Sequence, residues 1–380
     1  MAQSKPVIAH INKHLFQKSE TFIYNYIVNL KHYEPICCTA RKVHPELFPF
    51  PSENLYVFPQ PHSLLRFLGM YSRIDYIGKG LQLREILRTR NARLLHAHYA
   101  YSGYLLLPLK KELDIPLITM VYGYDVSLLP QENQWKINYA MLFRDGNIML
   151  AEGLHMKSVL MKLGCPEEKI RIQRIAIPVT KIPYRERAPK KTGYKIIFLF
   201  CGRFVEKKGI MFALQALTKA KQAGVNFEFR LIGDGPLHPA IRKYSAEHDL
   251  DANISLLGML NYQQYLQQLD QADLFLHPST TADNGDSEGG APTTILEAQA
   301  AGVPVIATTH ADIPNITLPD RSALLSPERD IEQLFTNIMR ICSDQKQWAA
   351  MGKAGRSFVE QYHDIAKEIY NLESIYASVI

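Results

Sequence analysis

Along the chain, short runs of Val, Ile, Leu and Phe alternate with longer stretches whose apolar residues return at three- and four-residue steps. The runs predict strands buried on both faces, and the stretches predict helices that cover them. Together they describe parallel sheets of an α/β protein rather than a sandwich or a bundle. In the first half, strands are expected at residues 7–11, 35–39, 55–58, 94–98, 117–121 and 148–151, with helices near 21–30, 81–89 and 104–113. Pro178, Pro183 and Pro189 then interrupt all periodicity across 178–193, which reads as a linker. A second series of strands follows at 195–201, 227–232, 254–257, 274–277 and 303–307. The closing helix carries Ile365, Ile369, Leu372, Ile375, Tyr376 and Val379 on one side and needs a surface to cover.

A chain of 380 residues exceeds what one hydrophobic core usually supports, so two domains are expected. The pattern divides them as 1–185 and 186–364, two doubly wound Rossmann-like units facing a cleft, with 365–380 a candidate to rejoin the first. No segment is long and apolar enough to read as a membrane span, and the first residues read as a strand rather than a signal peptide, which predicts a cytoplasmic protein. The five cysteines show no metal-ligand spacing and read as reduced thiols. No metal site is expected. The net charge of +6 hides an asymmetry: residues 1–192 hold 27 Lys and Arg against 15 Asp and Glu, whereas 193–380 hold 16 against 22. A basic first half suggests an anionic partner, with an uneven but solvated surface as the plainer alternative.

Three segments could carry chemistry. Cys201-Gly202-Arg203 through Lys207-Lys208-Gly209 joins a strand end to a helix start, where free N–H groups and two cations suit a diphosphate; a solvated surface turn is the alternative. Gly233-Asp234-Gly235-Pro236 is half of a dinucleotide fingerprint without its completion and reads as a tight turn. The third runs from His277-Pro278-Ser279 through a polar loop to Glu288-Gly289-Gly290-Ala291-Pro292-Thr293 and a helix bearing Glu297. Its glycines admit a ligand close to the backbone. Glu297, in apolar company, needs donors such as ribose hydroxyls, or a salt bridge.

Taken in this order, Gly202-Arg203 through Lys208-Gly209, Gly233-Asp234-Gly235-Pro236, Ala272-Asp273 through Pro278-Ser279, and Glu288-Gly289 through Leu296-Glu297-Ala298 with Gly302-Val303-Pro304-Val305 resemble the retaining family-4 glycosyltransferases of the GT-B fold, and among them the bacterial members that build exopolysaccharide such as colanic acid. The first half is similar to the same group through Ser19-Glu20-Thr21-Phe22, His96-Ala97-His98 and Gly123-Tyr124-Asp125. The resemblance implies transfer of a sugar from a nucleoside diphosphate sugar to an acceptor hydroxyl, with retention and without a cofactor or metal. It implies catalytic roles for Arg203, Lys208 and Glu288, and donor contacts from Gly202, Gly258, Met259, Leu260, Gly289, Gly290, Ala291, Pro292, Thr293 and Glu297. Glu20, Thr21, His98, Tyr122 and Asp125 are the corresponding candidates of the first domain.

Three positions depart from that family. Eight residues separate Glu288 from Glu297, one more than usual; Tyr122 stands where many relatives have histidine; and residues 12–20 replace a glycine-rich loop. The acceptor implied is a sugar or a lipid-linked glycan. Basic and apolar residues mixed between His62 and Arg93 suggest contact with an anionic membrane, against an ordinary amphipathic helix packed on its own sheet. Nucleic acid is set aside as a partner. Competing readings are a sugar-nucleotide epimerase of the same fold and a two-lobed small-ligand binding protein.

Overall fold

The computed structural model describes residues 5–17, 20–42, 44, 46–58, 71–191, 193–290 and 292–380. The chain divides into two compact units, one comprising Met1–Glu152, Lys157–Arg174 and Ile365–Ile380, the other Gly153–Met156 and Ile175–Asp364.

The first unit holds β1 (Val7–Leu15), β2 (Glu34–Lys42), β3 (Leu55–Val57), β4 (Ala92–His98), β5 (Leu117–Met120), β6 (Ile148–Ala151) and β7 (Ile170–Ile172). They form one parallel sheet in the order β3-β2-β1-β4-β5-β6-β7. β7 escaped the pattern because three residues are too short to show a period. Polar groups fix the terminal helix Ile365–Ala377 to this unit as firmly as its apolar face does. Glu373 accepts the Lys31 and His32 amides at 2.6 and 2.8 Å, Glu368 accepts the Gln173 side chain at 3.0 Å, and the Tyr376 hydroxyl meets His96 at 2.5 Å.

The second unit contains β8 (Ile196–Cys201), β9 (Phe227–Ile232), β10 (Ile254–Gly258), β11 (Leu274–His277), β12 (Val305–Thr308) and β13 (Ala323–Ser326), again all parallel, in the order β10-β9-β8-β11-β12-β13. Its core is built from Phe198, Phe200, Phe204, Phe227 and Phe229 with the leucines and isoleucines of the covering helices.

The proline-rich stretch is not the free linker that its composition suggests. Arg187 is buried and donates to the carbonyls of Ala272, Leu269 and Ala301 at 2.8, 2.8 and 3.1 Å. Arg185 N–H bonds Ala301, and Tyr184 packs so closely on Gly302 that a Cβ there would stand 2.6 Å from its ring. Residues 175–185 therefore belong by contact to the second unit, and the first closes at Arg174 instead of at 185. Prolines remove periodicity without removing order when a buried guanidinium holds the chain.

Candidate functional site

In the second unit the direction of winding reverses between neighbouring β8 and β11. Loops leaving two such strands diverge to opposite faces and open a crevice at the carboxyl edge, where doubly wound folds bind ligands. Both loops carry expected site residues. After β8, Glu206–Lys208 makes one tight turn and Gly209 takes a φ of 68° before the helix Ile210–Gln222. A Cβ on Gly209 would stand 1.7 Å from the Pro278 carbonyl oxygen, so glycine alone lets this turn press on the loop after β11. The Thr280 amide seals the contact by donating to Lys207 O at 2.9 Å.

That approach brings Lys208 to Glu288. Its Nζ lies 2.7 Å from Oε1 and 2.9 Å from Oε2, while Ser279 Oγ donates to Oε1 at 2.9 Å and His277 Nε2 stands 3.8 Å away. Lys207 braces the loop through Asp286 at 2.9 Å and the Ser287 carbonyl at 3.0 Å. Burial alone would raise the Glu288 pKa, but Lys208, His277 and Lys207 outweigh it and hold the carboxyl well below its ordinary range. Burial pushes His277 down to about 4, against the opposing pull of the nearby Glu288 carboxylate. At neutral pH the crevice thus holds an ion pair beside a neutral imidazole. Arg203 is exposed next to it, and its guanidinium engages no partner among the described residues.

Other expected donor contacts surround this pair. Gly202 is half-buried at the end of β8; Gly289 and Gly290 are buried, with Gly289 at a φ of 72°. Pro292 immediately precedes the helix Thr293–Ala300, and Thr293 opens it. Ala291 lies outside the described residues. At the end of β10, Gly258 turns at a φ of 68° and leaves Met259 65% exposed, with Leu260 half-buried. The Gly233-to-Pro236 turn is architectural: a Cβ on Gly233 would stand 1.9 Å from Gly202 O, and one on Gly235 2.7 Å from Phe204 O.

In the first unit the reversal falls between β1 and β4. There Glu20 accepts the Tyr99 hydroxyl at 2.7 Å and Gln17 Nε2 at 2.8 Å. The Tyr122 hydroxyl meets His98 Nδ1 at 2.7 Å. Asp125 is wholly buried, receives the Ala100 and Tyr122 amides at 3.0 and 2.9 Å, and is pushed up to about 7 by burial against those two bonds. It braces two strand-to-helix turns. Thr21 is exposed at the start of the helix Thr21–Val28.

Residues 183–358 match the family described as glycosyl transferases group 1. The putative colanic acid biosynthesis glycosyltransferase WcaL of Escherichia coli (strain K12) is 32% identical over 281 residues, covering 73% of this chain and 68% of that one. The chain belongs to the group 1 glycosyl transferases. The amylovoran biosynthesis glycosyltransferase AmsK of Erwinia amylovora is 31% identical over 271 residues, 71% of this chain and 66% of its own length. Among solved structures, Anabaena Alr3699/HepE in complex with UDP superposes with a TM-score of 0.79 at 14% identity, covering 98% of this chain and all of that one. A glycosyltransferase from Rickettsia africae ESF-5 gives 0.79 at 18% identity, covering 99% and 98%. The two parallel-sheet units are those of a GT-B glycosyltransferase.

In this glycosyltransferase Glu297 forms no salt bridge among the described residues. Burial raises its pKa to about 7, opposed by the Tyr265 and Tyr262 hydroxyls. Tyr265 Oη lies near without a bond of normal geometry. His310 and Glu328 are site residues that no pattern announced. His310 Nε2 meets the Glu288 amide at 3.1 Å, its Nδ1 lies 2.6 Å from Glu328, and Glu328 receives the Thr281 amide at 2.7 Å. The Glu288 amide is therefore taken and not offered to a ligand. The position of His310 just beyond β12, at the same carboxyl edge, was the available sign.

Proposed function

We propose that this glycosyltransferase transfers a sugar from a nucleoside diphosphate sugar to an acceptor hydroxyl, with retention at the anomeric carbon, in the assembly of an exopolysaccharide or related glycan. The observation that carries this reading is the Lys208–Glu288 pair between the loops of β8 and β11, with the exposed Arg203 beside it. The bond from the acceptor oxygen to the anomeric carbon forms as the bond to the diphosphate breaks. Charge grows on the leaving group, and the acceptor proton passes to it. In this reading Arg203, Lys208 and the first N–H groups of Ile210–Gln222 stabilise that charge. Glu288, kept ionised, accepts hydroxyls of the donor sugar, and Glu297 accepts those of the ribose.

The relatives act in colanic acid and amylovoran biosynthesis by name, which supports a polysaccharide or its lipid-linked precursor as the acceptor. Contact with an anionic membrane is part of the same reading. Incubation with a panel of nucleoside diphosphate sugars and lipid-linked acceptors tests it. Nucleotide release should require both substrates, the product should keep the donor's anomeric configuration, and added Mg2+ or Mn2+ should leave turnover unchanged. Conversion of the donor sugar to its epimer without acceptor would replace this reading with the epimerase.

A further inference from the structure

We propose that His10, His96 and His98 form a metal site inside the first unit, suited to Zn2+ or a similar transition ion and separate from the donor chemistry. The two-residue period of a strand puts His96 and His98 on one face of β4, and the parallel register places His10 of β1 beside His96. All three are buried. One ring nitrogen from each lies within 4.8 Å of those of the others. His10 Nδ1 and His98 Nε2 stand 3.2 Å apart. Two nitrogens bound at about 2.0–2.1 Å to a tetrahedral zinc would be separated by roughly 3.3 Å.

The surroundings suit ligands. His98 Nδ1 meets the Tyr122 hydroxyl at 2.7 Å and His96 Nδ1 meets the Tyr376 hydroxyl at 2.5 Å, so both rings are anchored on the far side and turn Nε2 inward, as the outer partners of metal-bound histidines do. His96 Nε2 has no hydrogen-bond partner among the described residues. Buried polar atoms rarely stay so. Burial lowers the pKa of all three rings, His96 to about 3, and neutral imidazole is the ligating form. Three such nitrogens are a borderline-soft donor set that fits Zn2+, Ni2+ or Co2+ better than Mg2+ or Ca2+. A ring stack without an ion, in which His10 Nδ1 and His98 Nε2 share a hydrogen bond, is the competing arrangement, since His96 and His98 lie 4.6 Å apart at 18°. It leaves His96 Nε2 unpaired. An ion would fasten β1 to β4 and, through Tyr376, to the terminal helix.

Full-length protein without a histidine tag, stripped with a strong chelator and equilibrated with Co2+, tests the proposal. We expect the visible d–d bands of tetrahedral nitrogen-bound Co2+, displaced by Zn2+ at about one equivalent per chain. His96→Gln and His10→Gln should each lower the metal retained on gel filtration at least roughly tenfold, the loss already expected when only an outer partner of a ligand is removed. Stripping should also lower the melting temperature of the wild type, and Zn2+ should restore it. Should a variant not fold, the wild-type Co2+ spectrum and the reversible melting shift decide the matter alone. A chain that takes up no Co2+ or Zn2+, or folded variants that retain as much as the wild type, would overturn the site.

Discussion

The two units wind their strands in the same order and put polar groups at the same place, yet those groups differ in kind. In the second unit the loops after β8 and β11 meet through an ammonium and a carboxylate, with Lys207 on Asp286 close by. In the first, β1 and β4 meet through neutral rings: His10, His96 and His98, with Tyr99 and Tyr122 at the carboxyl edge beside the carboxyls of Glu20 and Asp125. The chemistry of a leaving diphosphate calls for the first kind of pocket, and recognition of uncharged hydroxyls for the second. The Lys208–Glu288 pair lies in the half of the chain whose balance is acidic. Net charge is a poor pointer to a site, because two lysines held by a turn count for more than an excess of solvated arginines.

The largest expected effect comes from breaking the ion pair. Lys208→Met should reduce turnover by about 100- to 1000-fold, the usual cost of removing a group that stabilises transition-state charge. It should also destabilise the chain by about 3–5 kcal/mol, since Glu288 would be left as an unpaired buried carboxylate. Adding Glu288→Gln should return most of the stability and none of the turnover. Urea unfolding and steady-state rates measured on both variants separate the two roles, and a single variant as stable as the wild type would mean that the pair is not buried in solution.

Arg203→Ala sharpens the contrast. The side chain is exposed and without a partner among the described residues, so stability should move by no more than about 0.5 kcal/mol. Turnover should nevertheless fall by about 100-fold, because the cation is needed only when the diphosphate leaves. Wild-type turnover with saturating donor and acceptor would remove Arg203 from the mechanism.

These two residues also show what was legible beforehand. Alternating strands and helices disclosed both sheets, because buried parallel strands must be apolar runs, and only the edge strands β7 and β13 were missed. Arg203, Lys208, Glu288 and Glu297 could be named since strand–turn–helix junctions with glycine, cations and acids are local patterns. Contacts between distant segments leave no such trace. His310 and Glu328 act on Glu288 across a sheet edge, and the burial of Arg187 depends on carbonyls more than eighty positions away in sequence. The eight residues between Glu288 and Glu297 are accommodated with Gly289 at positive φ, and the helix begins only at Thr293.

Acid titration compares the units directly. Glu288 has a folded pKa below its ordinary 4.5, so its stabilisation is complete above that pH and is lost as the pH falls through the folded value. Asp125 has the opposite sign. Raised from 3.8 to about 7, it keeps a proton in the folded state that the unfolded chain has released, so stability falls as the pH rises across that window. Against the wild type, Asp125→Asn should gain stability from about pH 4 to 7, and Glu288→Gln should lose less below about 4.5, with slopes of at most about 1.4 kcal/mol per pH unit. Parallel curves for wild type and variants would refute both assignments.

A smaller effect is expected at Glu297. Glu297→Gln keeps the volume but weakens acceptance from a ribose hydroxyl, a loss of about 0.5–1.5 kcal/mol or roughly tenfold in donor use. The variant should discriminate less than the wild type between the ribose donor and its 2'- or 3'-deoxy analogues. An equal loss on all donors would make Glu297 a partner of Tyr262 and Tyr265 and nothing more.

The smallest effect concerns the basic surface of the first unit and its proposed membrane contact. The residues Leu64, Leu65, Arg66, Phe67, Leu68 and Met70 lie outside the described residues, as do the side chains of Tyr71, Arg73, Tyr76, Ile77 and Lys79. Of the described cations of that stretch, three are already compensated, and Arg93 is exposed. Arg84 and Arg88 share Glu112 at 3.0 and 3.4 Å, and Arg90 is bound to Glu34, Tyr56 and Asn54 at 2.6, 2.7 and 2.8 Å. A free cation near an anionic bilayer is worth about 1 kcal/mol, and a paired one less. Retention on anionic vesicles should therefore be weak, absent on neutral ones and lost at high salt. Arg84→Glu with Arg88→Glu should abolish it, whereas Arg90→Glu would disturb the strand β3 that it holds and is unsuited to the test. Equal recovery in the supernatant with every lipid would leave a soluble acceptor as the better account.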